Sequence, residues 1–255
     1  MRKLFLIFTC FSITLFSNAQ MHFIHADSII TWDNDAMNLR NTALQASAQL
    51  RPQRIVAQQT QLKALLTAWQ QNKDNPLNNP YVVTNRFTQA ARLLSLTSDA
   101  QYALEMERLI YGPLMQTALQ PTLTSEKITA AQTLLNALGT MMGMMGDTLY
   151  VNYYANATTV INDKTGEFQL DQITGMPFHE RVKFRFSRMT STQGHPLTIA
   201  LRLPQGEWNN STLPIYCNGH ETLYRIEKGY ALITNTWKTG FEIYFDLPEP
   251  LLKEQ

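Results

Sequence analysis

The first candidates for chemistry in this sequence are two glutamates, Glu105 and Glu107, in a stretch with helical periodicity. Two carboxyl groups can act as general acid and general base when they face each other across a substrate. Residues two apart on a helix do not share a face, so Glu105 and Glu107 do not form such a pair. A second carboxylate would have to reach Glu107 through the fold, and the sequence offers Asp99, Asp147, Asp163 and Asp171. The simpler interpretation makes Glu107 an ion-pairing residue of a helix.

The cysteine and histidine residues do not form a pattern that predicts a catalytic or metal site. Cys217 is the only cysteine outside the N-terminal apolar run, and it falls in a strand-like segment where a buried structural thiol is expected. His22 and His25 are three residues apart without carboxylates beside them, which is a weak metal pattern. No serine or cysteine elbow and no phosphate-binding glycine loop accompanies the histidines of the C-terminal half. The sequence therefore predicts neither a metal site nor a cofactor.

Aromatic side chains in the C-terminal part of the chain are the other candidates for ligand binding. Exposed aromatic rings stack on the apolar faces of sugars, and we predict Trp208, Tyr224 and Trp237 as carbohydrate-binding residues. The competing interpretation is that these rings pack two sheets together, as aromatic residues commonly do in β-rich cores.

The first nineteen residues have the pattern of a cleaved secretory signal. Arg2 and Lys3 precede an apolar run over residues 4–16, and small residues follow before Gln20. The apolar run is too short to span a bilayer. We expect export to a periplasm or beyond, without membrane attachment after cleavage, although a retained anchor is the alternative. With 21 basic and 20 acidic residues the net charge is +1, which gives no electrostatic reason to expect nucleic-acid binding.

Helical periodicity extends over residues 35–146, after a lead-in segment at residues 20–34. One apolar face has helical spacing at Leu62, Leu65, Leu66 and Trp69. Cap-type residues for later helices occur at Thr97-Ser98-Asp99 and at Thr124 or Ser125. The last predicted helix has its apolar face at Ile128, Ala131, Leu134, Leu135, Leu138 and Met142. Its methionine-rich end, with Gly143 and Gly146, is expected to fill core space against the following region.

The period changes to two over residues 147–255. Apolar residues alternate with polar ones in two runs, at Leu197, Ile199, Leu201 and Leu203 and at Phe241, Ile243 and Phe245. Asn218-Gly219 and Lys228-Gly229 are typical of hairpin turns. The predicted fold class is α+β: a partial helical-hairpin region, like an incomplete α/α barrel, followed by an antiparallel β-sandwich.

The order of short motifs in this region resembles a known family. LRLP is followed by a tryptophan, then CNG, then GYALI, and then a second tryptophan and a glycine before FEIYFDLP. This order is similar to the C-terminal β-sandwich of the β-L-arabinofuranosidase family, glycoside hydrolase family 127. Upstream, DTLYVNY at residues 147–153 resembles the strand where that family passes from its helical barrel into the sandwich. Residues 92–112 resemble a helix hairpin of the same barrel.

The resemblance implies a zinc-thiolate enzyme. In the family a cysteine nucleophile is held with further cysteines and a glutamate around zinc, and a separate glutamate acts as acid and base. The paired cysteines of relatives precede the strand equivalent to Leu149–Tyr153, but here the interval Thr124–Gly146 contains no cysteine. Glu107-Arg108 aligns with a Glu-Arg pair of the family's barrel hairpin, which makes Glu107 the candidate catalytic residue. The family's barrel also has more helices than this chain can supply.

These observations predict an exported, truncated relative that handles arabinose-containing glycans without cleaving them. It would act by binding carbohydrate or by docking on a fuller glycoside hydrolase. The alternatives are an active glycosidase that uses carboxylates around Glu107, and a structural fragment without a ligand. The many apolar faces on few helices further predict docking on the sandwich or on another subunit, such as a second copy of the chain.

Overall fold

A computed structural model describes residues 22–23, 51–77, 79–163, 165–176, 179–204 and 213–247. The signal-peptide prediction for residues 1–19, most of the lead-in segment, His25 and Trp208 lie outside these described residues.

Helices form the first half of the described chain. They are α1 (Arg51–Asn72), α2 (Pro80–Thr97), α3 (Ala100–Leu109), α4 (Met115–Ala118) and α5 (Ser125–Leu138), with a π-helical turn, Ile110–Leu114, between α3 and α4. The Gln101 N–H donates to the Asp99 side chain at the start of α3, and the Lys127 N–H donates to Thr124 Oγ1 at the start of α5. The predicted caps are thus confirmed. None of the described helices is both long enough and apolar enough to cross a membrane.

Two sheets agree with the predicted α+β class, and all of their described strands except β1 follow the helices in the chain. The strands are β1 (His22–Phe23), β2 (Met142–Met145), β3 (Thr148–Val151), β4 (Ala157–Asp163), β5 (Gly166–Thr174), β6 (Arg181–Met189), β7 (His195–Arg202), β8 (Tyr216–Cys217), β9 (His220–Glu221), β10 (Arg225–Glu227), β11 (Tyr230–Trp237) and β12 (Glu242–Asp246). One sheet has the order β1-β2-β3-β7-β11-β10, and the other has the order β4-β5-β6-β12-β8-β9.

The described strands pair antiparallel with one exception, because β3 and β7 are parallel. The chain enters the first sheet at β2 and β3, builds β4, β5 and β6 in the second sheet, and returns to the first sheet at β7. The two sheets pack face to face through aromatic rings, such as Phe186 stacked on Trp237 with ring centroids 5.0 Å apart. The period-two pattern predicted this sandwich, but it could not distinguish the direction of one pair of strands.

The two predicted hairpin turns are confirmed. Asn218-Gly219 joins β8 to β9, and Lys228-Gly229 joins β10 to β11. Both residues of each turn have positive φ, at 50° and 84° in the first turn and 48° and 80° in the second. This backbone matches the twist of the flanking strands, and glycine adopts it without a steric penalty.

The last helix, α5, buries a different face from the one that its sequence indicates. Ile128 is 46% exposed and Leu135 is 63% exposed. The fully buried residues of α5 are Ala130, Thr133 and Ala137. Thr133 Oγ1 lies 2.9 Å from Thr84 Oγ1 on α2. Because small residues let the two helices approach closely, the larger apolar side chains remain on the outer side.

The methionine-rich segment is a strand, not a helix end. Helix α5 ends at Leu138, and Met142–Met145 pairs with β3 across a turn in which Gly146 has a φ of 61°. The prediction that places Met142 on a helix is therefore wrong. Met141, Met142 and Met144 are buried, so the prediction that methionines fill core space is confirmed. The change from helix to strand lies between residues 138 and 142.

The turn of the β10–β11 hairpin fixes the start of α3. The Ala100 N–H donates to the Lys228 carbonyl at 2.9 Å, and Lys228 Nζ donates to the Thr97 carbonyl at 2.7 Å. A Cβ added to Gly229 would lie 2.7 Å from the Ala100 Cβ. The turn backbone thus packs directly on the helix terminus, and a side chain larger than hydrogen does not fit.

We expect Gly229→Ala to destabilise the protein by about 2–4 kcal/mol, because it adds overpacking to left-handed backbone strain. Gly219→Ala is the matched control: its φ is 84° and nothing lies within 4 Å of the added Cβ, so only the strain of roughly 1–2 kcal/mol applies. Urea unfolding of both variants measures the difference. Equal losses would show that the helix–hairpin contact is not tight.

Candidate functional site

Glu107 lies on the inner side of α3, between the helices and the first sheet. Its side chain is 1% exposed and forms an ion pair with Arg202 Nη2, at the end of β7, whose side chain is 2% exposed. The other carboxylate oxygen accepts the Tyr154 N–H at 3.4 Å. Helix and sandwich therefore meet at a fully buried pair of opposite charges.

Further hydrogen bonds hold Arg202 in place. Its Nε donates to the Asn152 carbonyl at 2.7 Å, and its own carbonyl accepts the Tyr154 hydroxyl at 2.5 Å. The Tyr154 ring lies under the guanidinium, with its centroid 5.4 Å from Cζ. Tyr230 Oη donates to Asn152 Oδ1 at 2.8 Å, so β11 also takes part. We call these five residues, Glu107, Asn152, Tyr154, Arg202 and Tyr230, the joint network.

The electrostatics of the joint network follow from burial. Loss of water raises the pKa of the Glu107 carboxyl, while Arg202 and the Tyr154 N–H oppose that shift. Burial alone would lower the pKa of Arg202, but Glu107, through its charge and hydrogen bond, and the nearby Tyr154 and Tyr230 together outweigh burial, and the pKa lies above its ordinary value. Burial also raises the pKa of Tyr154 and of Tyr230, and both remain neutral phenols.

Three of the other carboxylates considered for catalysis, Glu105, Asp99 and Asp171, have roles away from Glu107. Glu105 lies 2.8 Å from Arg86 Nε, which confirms that Glu105 and Glu107 use different faces of α3. Asp99 caps α3, and Asp171 on β5 accepts the Thr158 hydroxyl at 2.9 Å in the second sheet. The catalytic role of Glu107 remains a prediction. Its carboxyl is covered on both oxygens by Arg202 and Tyr154.

The residues do not fit the zinc-thiolate centre that the family resemblance implies. Cys217, the only cysteine in the described part, lies half-buried on β8, and burial raises the pKa of its thiol. The interval Thr124–Gly146 forms α5 and β2 and contains no cysteine. Within the described ranges no group of three or more His, Cys, Asp and Glu is placed to hold a metal ion. No step of a mechanism can be derived through zinc here.

The predicted carbohydrate-binding aromatics do not form one surface. Trp237 is 0% exposed, stacks on Phe186, and donates its indole N–H to the Leu197 carbonyl at 2.9 Å. It offers no face to a sugar, and its prediction as a binding residue is corrected to a core role. Tyr224 is half-buried, and its hydroxyl donates to the Leu213 carbonyl at 2.9 Å. Its binding role stays a prediction.

Arg202 is the residue that sequence reasoning missed. It follows a run of buried strand residues, Ile199, Ala200 and Leu201, and is itself as buried as they are. A single arginine at the end of an apolar strand is a signal for a buried ion pair, since such a charge needs a partner. The partner lies 95 residues earlier on a helix, which the sequence could not indicate.

Fold and joint network together define a class: a β-sandwich protein whose helical hairpins dock on one sheet through a buried ion pair. Residues 148–249 match the family model described as the middle domain of GH127 β-L-arabinofuranosidases. Residues 148–249 are thus similar to that domain, as the motif order predicted. A search of curated proteins found no match.

Three solved structures share the fold. A GH127 β-arabinofuranosidase named BT3674 is 19% identical with a TM-score of 0.55 over 66% of this chain, and a structure titled glycoside hydrolase is 21% identical with the same TM-score and coverage. Ara127N-Se, a GH127 β-L-arabinofuranosidase from Geobacillus stearothermophilus T6, is 20% identical with a TM-score of 0.54 over 67%. The match covers 32%, 32% and 31% of those chains, so this chain spans about a third of their length.

Replacing either partner of the buried pair should leave the other charge uncompensated. We expect Glu107→Leu and Arg202→Met each to cost about 3–5 kcal/mol, and the double variant to recover part of that loss. Denaturant unfolding of the four proteins gives the coupling energy. Lys183→Met is the control, because the Lys183–Glu242 pair is about one-third exposed and its loss should cost less than about 1 kcal/mol. Additive losses in the double variant would contradict this account.

Proposed function

We propose that this protein is an exported relative of family 127 that binds glycan and does not cleave it. The observation that supports the proposal is that the Glu107 carboxyl is buried and already bound to Arg202. A general acid must come within hydrogen-bond distance of the glycosidic oxygen that it protonates. With 1% of the Glu107 side chain exposed and Arg202 bound to it, no sugar reaches that carboxyl without opening the joint network.

The sugar class of the proposal comes from the relatives. Two of the matched solved structures are titled β-arabinofuranosidases, and we propose arabinose-containing glycans as the ligand of this chain. Export rests on the basic, apolar and small residues of positions 1–19.

An active glycosidase is the second candidate, and one observation favours it. The pKa of Glu107 is raised by burial, as is the pKa of carboxyl groups that act as general acids near neutral pH. This candidate would need the joint network to open and a second carboxylate to approach.

A protein partner is also part of the proposal, and the outer side of α5 supports it. We define the α5 seam as Ile128, Ala131, Leu135 and Leu138, four apolar residues spaced three, four and three apart. This spacing is typical of helix–helix contacts. In an antiparallel pair of two copies, Ile128 would face Leu138 and Ala131 would face Leu135, so small residues oppose large ones across a two-fold axis. The partner that we propose is a second copy, with a fuller glycoside hydrolase as the alternative.

The glycan proposal predicts binding without turnover. Purified protein should be retarded by arabinose-containing polysaccharide in affinity electrophoresis, and it should release no product from an aryl arabinofuranoside. Turnover that disappears in a folded Glu107→Gln variant would instead support the glycosidase. If the protein neither binds the polysaccharide nor releases product, only a structural role would remain for the chain.

The α5 seam predicts association that depends on concentration. Light scattering after size exclusion should show a dimer that Leu135→Gln abolishes, while the free energy of unfolding changes by less than about 0.5 kcal/mol because Leu135 is 63% exposed. Leu223→Gln is the control, since Leu223 is 96% exposed and lies outside the seam. A wild-type protein that stays monomeric at all concentrations would contradict the second copy as partner.

A further inference from the structure

A cavity of about 290 Å³ lies where α1 ends and α2 begins. Its lining residues are Asn72, Asn75, Tyr81, Val82, Asn85, Arg86 and Gln89. Asn72 is the last residue of α1, and Pro80 starts α2 with its fixed φ, so the loop between them turns the chain sharply enough to leave a hollow between the two helix ends. We call this hollow the amide cavity.

The lining of the amide cavity is polar and close to neutral. Four of its seven residues carry carboxamides, each of which both donates and accepts hydrogen bonds. The one formal charge belongs to Arg86, whose Nε lies 2.8 Å from the Glu105 carboxylate. Groups that both donate and accept match hydroxyls, which do the same. A charged ligand would meet no uncompensated opposite charge on these walls.

Several of the polar side chains are already held in place. Asn72 Nδ2 donates to the Ala68 carbonyl at 2.8 Å, and Asn72 Oδ1 accepts Asn75 Nδ2 at 2.9 Å. Arg86 lies over the Trp69 ring at 5.8 Å in addition to its ion pair. Fixed walls lower the entropic cost of ordering side chains around a ligand.

Gln89 supplies the feature that points most directly to a ligand. Its Oε1 is buried and has no hydrogen-bond partner among the described residues. A buried acceptor without a donor costs roughly 1–3 kcal/mol, so such atoms call for an explanation. A rotation of the Gln89 carboxamide toward the cavity would bring Oε1 to the hydroxyl of a bound ligand, which would supply the donor.

Tyr81 gives the cavity an aromatic wall. Its side chain is 52% exposed, and its backbone N–H is held by the Asn79 side chain at 2.8 Å. An exposed ring beside carboxamides can stack on the apolar face of a sugar while the amides bind the hydroxyls. The volume is at the small end of the roughly 300–1,000 Å³ found for ligand sites, which suits one sugar ring and not an extended chain.

We propose that the amide cavity is the glycan site of this protein and that it binds a single neutral sugar unit. This inference rests on the proposed function and names its site. Gln89 Oε1 accepts a sugar hydroxyl, the asparagines bind further hydroxyls, and the Tyr81 ring covers one face.

The test uses full-length mature protein with methyl arabinofuranoside and neutral arabino-oligosaccharides as probes, followed by calorimetry or ligand-observed NMR. Gln89→Met removes the acceptor and keeps the length of the side chain, and it should weaken binding about tenfold without loss of stability. Tyr81→Ala should weaken binding to a similar degree. Gln116→Met, at an exposed position of α4, is the matched control and should bind as the wild type does.

The possible outcomes test the cavity proposal and the glycan-binding proposal separately. If the wild type binds the neutral probes and both cavity variants lose affinity while the control does not, the site is supported. If the wild type binds and the cavity variants bind equally well, the cavity is overturned and the proposed function stands. Binding of an acidic sugar in place of the neutral probes would overturn the ligand class, and no binding of any glycan would overturn both proposals.

Discussion

The constraint on which this structure depends is that two opposite charges are buried where helices meet a sheet. A carboxylate and a guanidinium removed from water are tolerated only when geometry and further hydrogen bonds compensate the lost hydration. Asn152 and Tyr154 provide that compensation from the segment between the sheets, and Tyr230 fixes Asn152 in turn. The joint network therefore sets where α3 lies on the sandwich, because a shift of the helix would leave a charge without its partner.

The same constraint separates the chemistry of this chain from the chemistry that its family resemblance implies. Arg202 and the Tyr154 N–H bind the two oxygens of the Glu107 carboxyl, and the interval Thr124–Gly146, where the family resemblance implies paired cysteines, contains none. Two further features lie on the surface of the helical part. There the outer side of α5 is apolar and the end of α1 is rich in amides.

Periodicity was enough to predict the fold class, turn dipeptides predicted the hairpins, and cap-type residues predicted the helix starts. Each of these features is decided by residues close in sequence. The burial of α5 could not be predicted this way. Ile128 and Leu135 have the spacing of a core face, but Thr84 selects the side of α5 with small residues, and Thr84 lies on another helix. The strand Met142–Met145 was missed because methionine has no strong strand preference and its pairing partner decides the conformation. The burial of Arg202 and the presence of the amide cavity could not be predicted, because both depend on contacts between separate segments that a single sequence does not reveal.

The parallel pairing of β3 with β7 affects the order in which the molecule can be assembled. The first sheet cannot be completed until the three strands β4 to β6 have been laid down elsewhere, since they lie between its two halves in the chain. Contacts between such distant segments close late and slow the folding of a domain. During synthesis, the helices and β3 would emerge well before Arg202 exists to neutralise Glu107. Until then Glu107 stays hydrated, and α3 can dock on the first sheet only after β7 has been made and Arg202 is present to pair with it.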